Sequence, residues 1–169
     1  RISLLSSPLR SRFSGGTFRL EFYSDEEIAT ILERSASLLN VETSREILER
    51  ISKRCRATPR TANYLLKRCR DLAQLEGGSL TSDVVDKTFG LLDIDNLGLT
   101  GPDRAVLEAI INKFKGGPVG LNTIAAATGE EPSTIEDVIE PYLIRHGLLE
   151  RTPRGRVASA SAYEHIQNL

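Results

Sequence analysis

The chain contains no methionine and opens at Arg1, which together mark it as a piece of a longer polypeptide. It has no run near the roughly 18 apolar residues of a membrane span, and no charged-then-apolar signal opens it. A cytoplasmic protein with no membrane contact is the expectation. Neither sign of charge dominates: 22 Lys and Arg stand against 23 Asp and Glu, a net charge of −1. That balance excludes a wholly basic nucleic-acid coat, so contact with DNA or RNA must come from local clusters. Cysteine is scarce as well. Cys55 and Cys69 form no metal-like pair, and each falls on the apolar stripe of a predicted helix, near Ile51 and near Leu65 and Leu72, so both read as reduced core residues. His146, in the last turn of its helix where a cation or capping donor is favoured, and His165, in the tail, lack Cys, Asp or Glu at ligand spacing; no metal site is expected. Tyr142 and Tyr163 read as core or rim. No nucleophile–base pair suggests a hydrolase. There is also no Gly-x-x-x-x-Gly-Lys-Ser/Thr loop and no apolar strand ending in paired acids for Mg²⁺, so the chain alone should neither hydrolyse nor tightly hold ATP.

With 169 residues, 40% hydrophobic and 27% charged, the chain can bury two modest cores. Residues 1–22 do not make a self-sufficient domain. Ser6, Ser7 and Pro8 break the start, Gly15 and Gly16 break the middle, and Phe18-Arg19-Leu20-Glu21-Phe22 alternates like one strand in need of neighbours. Four helices are predicted over 23–96. Ser24 and Glu27 form a capping box before Ile28, Ile31, Leu32 and Leu38. Ser44 caps a helix with Ile47, Leu48 and Ile51 inward. Thr58-Pro59 opens a third, striped by Leu65, Leu66, Cys69, Leu72 and Ala73 and ended by Gly77-Gly78. Thr81 starts a fourth with Val84, Val85, Leu91 and Leu92.

The short polar stretch 93–98 marks a boundary, and residues 97–169 change character. One helix carries Leu107, Ile110, Ile111 and Phe114 and stops at Gly116-Gly117-Pro118. A short one carries Leu121, Ile124 and Ala125 before Thr128-Gly129, and a third carries Ile135, Val138, Ile139, Tyr142 and Leu143 up to Gly147. Leu148-Leu149 and Val157-Ala158 then flank a Pro153/Gly155 turn, and a last helix is predicted from Ala160. Three helices and a two-stranded wing is the winged-helix order. The fold class is thus mainly α, a helical bundle followed by a winged helix with a small hairpin. Such modules bind proteins as well as DNA.

The hairpin tip concentrates Arg151, Arg154 and Arg156, which reads either as a solvated basic turn or as a device that presents cations to a polyanion. The preceding helix, which would enter the major groove in most DNA-binding relatives of this motif, has Glu130, Glu131, Glu136, Asp137 and Glu140 on or just before it. Base reading by that helix is disfavoured at such a charge cost. Contacts from the wing arginines to the DNA backbone would position without specifying sequence. A second cluster, Arg50, Lys53, Arg54, Arg56, Arg60, Lys67, Arg68 and Arg70, has no acid between its members. It is either a solvated face or, at Arg60 on a helix N-terminus, a place for a phosphate.

Taken together, Pro8-Leu9-Arg10-Ser11-Arg12-Phe13, Thr58-Pro59-Arg60, Gly116-Gly117-Pro118-Val119-Gly120-Leu121, the run from Ile135 to Ile144 and the run from Arg151 to Arg156 resemble the RuvB family, bacterial AAA+ motors of Holliday junction branch migration. The resemblance implies the end of a nucleotide-binding domain (1–22), a helical lid (23–96) and a winged-helix DNA-binding domain (97–169). It places a trans arginine finger on Arg12, a γ-phosphate sensor on Arg60 and DNA-backbone contacts on Arg151, Arg154 and Arg156. It further implies ATP and Mg²⁺ as cofactors of the full-length DNA-dependent ATPase, duplex DNA at Holliday junctions and a homohexamer, with RuvA bound through the missing domain and RuvC in the resolvasome. Three positions depart from the family pattern: Ala57 stands where Gly is usual, Ser11 where an acid is common and Ser14 where Gly is common. Ala57 would stiffen the start of the lid helix if the backbone there needs a positive φ. The rival reading is a stand-alone winged-helix regulator or protein-interaction scaffold.

Overall fold

The computed structural model describes residues 6–169 apart from Ser14, Thr17 and Arg19. Helix α1 (Ser7–Arg12) buries none of its residues. Pro8 does not break it, because proline in a first turn removes only an N–H that has no helical partner. Phe18, Leu20, Glu21 and Phe22 pair with no strand, which corrects the strand expected there; Arg19 lies outside the described residues. Alternation makes a strand only beside another edge, and Phe18 and Leu20 are instead 90% and 93% exposed.

The lid bundle is α2 (Asp25–Leu38), α3 (Arg45–Ser52), α4 (Pro59–Leu75) and α5 (Ser82–Leu91). Each start carries the cap its sequence announces. Ser24 N–H donates to Glu27 Oε2 at 2.8 Å while Glu27 N–H donates back to Ser24 Oγ at 3.2 Å. Ser44, Thr58 and Thr81 accept from Ile47, Thr61 and Val84 N–H, satisfying donors that helical bonding leaves over. α2 packs on α3 and α4, and α5 packs on α3 and α4, around a core that includes Ile28, Leu32, Leu48, Ile51, Leu65, Leu66, Cys69, Val85 and Phe89.

Two core residues predicted for this bundle are out of place, as is Val138 of the second half, which is exposed. Leu38 and Leu91 are exposed. The buried stripe of α2 runs Ile28, Leu32, Ala36 at a spacing of four, and Leu38 lies off it; in α5 the step from Val85 reaches Phe89. Cys55 is buried and free, as is Cys69, but it sits in the turn after α3, where its thiol donates to Ser52 O at 3.0 Å.

In the second half, α6 (Gly101–Glu108) runs into a wider π turn at Ala109–Lys113, and α7 (Leu121–Thr128) ends on Gly129 with φ +76°. One continuous rod follows, built of α8 (Pro132–Thr134), a π turn at Ile135–Ile139 and α9 (Glu140–Arg145). Pro141 sits where that turn closes: it has no N–H to give to the carbonyl four residues back, and the chain widens there instead of breaking. The wing is an antiparallel pair, β1 (Leu149–Thr152) and β2 (Gly155–Ala158), with Arg151 opposite Arg156. β2 has a second neighbour, since Val119 N–H donates to Arg156 O at 3.0 Å and Arg156 N–H to Val119 O at 2.8 Å. Helix α10 (Ala160–Gln167) packs on α6 and closes a second core containing Leu99, Leu107, Ile110, Ile124, Ile135, Leu143 and Leu149.

The close approach of Val119 to the wing depends on a missing side chain. Gly155 has φ +139°, and a Cβ there would meet Val119 O at 2.4 Å. Gly155→Ala is therefore expected to cost about 2 kcal/mol or more, from backbone strain together with the clash. Urea unfolding measures it; a loss below about 0.5 kcal/mol, the range of neutral surface changes, would refute this account of the wing.

Candidate nucleic-acid interface

The three wing arginines occupy three different environments. Arg154, at the tip between the strands, is exposed and has no hydrogen bond or ion pair among the described residues. Arg151 is half-exposed and reaches back to the rod, with Nη2 3.1 Å from Glu136 Oε1 and Nε 3.5 Å from Glu140 Oε1. Those acids raise its already high pKa, Glu136 first by direct hydrogen bonding. Arg156 is buried, donating from Nε and Nη2 to Glu140 Oε2 at 3.1 and 2.7 Å. Of the three arginines read as backbone contacts, Arg156 is the one engaged internally: it lies in β2 between β1 and Val119, and Glu140 neutralises it.

The same pair revises the acidic helix. Glu140 is 1% exposed and faces the wing, so it is an internal counter-ion and not part of a surface that phosphates would meet. Glu131 and Asp137 remain on the outside of the rod. The exposed face around them also presents Val138 and Ile144, a surface with no complement to a base edge or a phosphate.

Most of the lid's basic cluster is neutralised by acids from elsewhere in the sequence. Arg50 and Arg54 lie 2.6 and 3.4 Å from Asp86, whose pKa is lowered chiefly by the hydrogen bond from Arg50. Arg68 and Arg70 share Asp71 at 2.7 and 2.6 Å, and Arg56 pairs with the buried Asp103 at 2.8 Å. Arg60 is different: it is exposed, has no protein partner among the described residues and lies in the first turn of the 17-residue α4. The helix dipole and the exposed guanidinium there together favour an anion. Among the described residues no three His, Cys, Asp or Glu gather as metal ligands. Arg12 is exposed at the end of α1.

Family models of two named domains match the chain in succession: the RuvB AAA lid domain over residues 23–95 and the RuvB C-terminal winged helix domain over residues 96–167. The chain belongs to the RuvB family. It is similar to the solved Thermotoga maritima RuvB Holliday junction branch migration motor, at 47% identity and a TM-score of 0.93, over 99% of this chain and 56% of that one. A variant of the same Thermotoga protein with one arginine changed to alanine matches at 46% identity with the same coverage and TM-score. The chain thus spans 56% of the length of the RuvB structures it matches. Within the RuvB frame, Ala57 has φ +52° and Arg56 before it has φ +58°, so the position where glycine is usual does have left-handed backbone. Alanine holds it at a strain of roughly 1–2 kcal/mol. Ser14 lies outside the described residues.

Both histidines have partners that spacing along the chain did not reveal. His165 Nε2 lies 2.8 Å from Asp95 Oδ2. The His146 ring meets Tyr142 edge-on, with centroids 4.6 Å apart. Burial, and then the charge of Arg145, hold its pKa below the ordinary value, so the cation expected at this helix end is disfavoured. As pH falls through about 6.5 the unfolded chain takes up this proton before the folded chain does. Stability from His146 is therefore fully present above that pH and lost below it. Wild type should lose stability between about pH 7 and 5.5 while His146→Gln loses less; equal slopes in urea melts would refute the assignment. Removing Glu140 should be severe, since Glu140→Ala leaves Arg156 buried and unpaired at a cost of roughly 3–5 kcal/mol. A loss under about 1 kcal/mol would show that the pair is as weak as an exposed one.

Proposed function

We propose that this chain is the lid and DNA-engaging arm of a Holliday junction branch migration motor, gripping duplex DNA through its wing without reading sequence. The observation that carries this reading is the wing itself: a hairpin held rigidly by the Glu140–Arg156 pair, with the unengaged Arg154 at its tip and Arg151 half-exposed beside it. Guanidinium groups fixed in this way suit phosphate oxygens, which occur at every step of any duplex. Arg156 serves the grip from behind by aligning the strand.

In the complete motor the nucleotide with Mg²⁺ supplies the phosphoryl transfer. Here the role of Arg60 is to place a fixed positive charge by the γ-phosphate of its own subunit; that of Arg12 is to reach the site of the neighbouring subunit in a homohexamer. A finger of that kind contributes roughly 10³ to 10⁵ in rate. The chain alone, lacking the phosphate-binding loop, turns over no ATP. RuvA engages the motor through the domain that precedes the lid, and RuvC joins at the junction.

Duplex binding measured across salt tests the reading. Two phosphate contacts, by Arg151 and Arg154, give a log–log slope near −1.8, at about −0.9 per contact. Replacing both by alanine should flatten the slope and weaken all sequences alike. A wild-type slope near zero would remove the DNA reading and favour the protein scaffold, and a loss confined to one sequence would contradict backbone contact.

A further inference from the structure

We propose that Arg56 is a positioning residue that ties the nucleotide-sensing end of the lid to the DNA-facing rod, so that Arg60 and the wing move as parts of one lever; this rests on the function proposed above. The side chain of Arg56 crosses from the lid into the second domain and engages it in three ways. Its Nη1 donates to Asp103 Oδ2 at 2.8 Å, its Nη2 donates to Val138 O at 3.1 Å, and its guanidinium carbon stands 4.2 Å over the centre of the Tyr142 ring. These contacts involve the first turn of α6, the π turn of the rod and α9. A planar fork that also stacks can do all three at once, and an ammonium cannot.

The partner depends on Arg56. Asp103 is fully buried. Its Oδ2 also accepts from Thr100 N–H at 2.8 Å and Thr100 Oγ at 2.7 Å, but its Oδ1 has no hydrogen-bond partner. The carboxylate caps α6 and relies on Arg56 for its counter-charge. Tyr142, beneath the guanidinium, donates from its hydroxyl to Leu97 O at 2.8 Å in the connection between the domains. At that connection a Cβ on Gly98 would lie 2.7 Å from the Tyr142 hydroxyl and 2.8 Å from Arg54 O, so the link itself is pressed against the turn that holds Arg56.

On the lid side, Arg56 and Ala57 are consecutive left-handed residues leading directly into the Thr58 cap of α4. Such backbone persists only where its surroundings over-determine it. The residue that reaches into the DNA domain is therefore also the one that aims the helix N-terminus bearing Arg60. A rotation of the rod pulls on that turn, and a shift of α4 pushes on the rod. Sequence offers no hint of this: Arg56 is one of eight basic residues in its cluster, and Asp103 and Val138 lie 47 and 82 positions away.

Two measurements test the proposal. Spin labels on Leu75→Cys and Ser133→Cys, both at exposed positions, report the distance between lid and rod; the native thiols are buried, and burial pushes Cys69 up to about 11. One narrow distance is expected in the otherwise unaltered chain and a broad distribution in Arg56→Ala, with Arg56→Lys intermediate. An Arg56→Ala distribution as narrow as the parent's overturns the tie whether or not the protein binds DNA. In the complete motor, Arg56→Ala should keep duplex affinity within about twofold, while the acceleration by duplex, read as the ratio of that variant's hydrolysis rates with and without DNA, falls at least tenfold. Retained acceleration overturns the coupling, and a parallel loss of basal hydrolysis and affinity reduces Arg56 to a structural role. A parent motor that duplex does not accelerate would count against the proposed function, and the spin-label result would then decide on the tie alone.

Discussion

The pairing of Glu140 with Arg156 is the constraint from which the winged-helix half takes its form. A guanidinium in a strand flanked on both sides by backbone cannot reach water, and an isolated buried charge would be too costly to keep. The carboxylate has to come from the rod, because α9 packs on β1 and places Glu140 at the base of the wing. The two charges thereby set the angle between rod and hairpin. They also settle which arginines remain outside: Arg154 entirely, Arg151 in part. Breaking such a pair costs more than the pair itself adds to stability, because the remaining charge is left buried.

A similar economy governs the lid. Its basic residues look like a surface awaiting a polyanion, yet Asp71, Asp86 and Asp103 neutralise most of them from α4, α5 and α6. What remains exposed and unengaged at the start of α4 is Arg60. Arg60 and Arg154, the two cations proposed to act, are exposed and without an ion pair among the described residues, while many of their neighbours are paired. The two halves are also joined by polar contacts at a second place: Arg104 bonds the Asp93 carboxylate and the Asp93 and Leu99 carbonyls, and His165 meets Asp95. Asp93, Asp95 and Leu99 are thus held by side chains of the second half, which shortens the connection and leaves the contacts of Arg56 to set the angle across it.

Legibility in the sequence followed the range of the interaction. Ser24, Ser44, Thr58 and Thr81 announced their helices because a cap acts over three residues. The hairpin around Pro153 and Gly155 was equally plain, since turn chemistry is local. Leu38 and Leu91 misled because a hydrophobic residue near a helix end satisfies a loose pattern without lying on the buried stripe. The strand expected at 18–22 failed for a different reason: alternation states a preference, and a strand exists only when another edge meets it. Cys55 was placed correctly in the core and wrongly on a helix, as its burial is decided by the turn that follows α3.

Residue order by itself determined two helical units, their caps, the wing and the cluster of arginines on it, because each depends on neighbours within a turn or two of chain. Tertiary structure alone decided what each charge is for. Glu140 became a counter-ion instead of a repellent, Arg156 became internal, Arg56 was drawn into the second domain and Arg60 was left exposed. A charge is defined by whatever opposite charge folding brings within a few ångströms, and those partners lie up to dozens of positions away, where periodicity and spacing carry no signal.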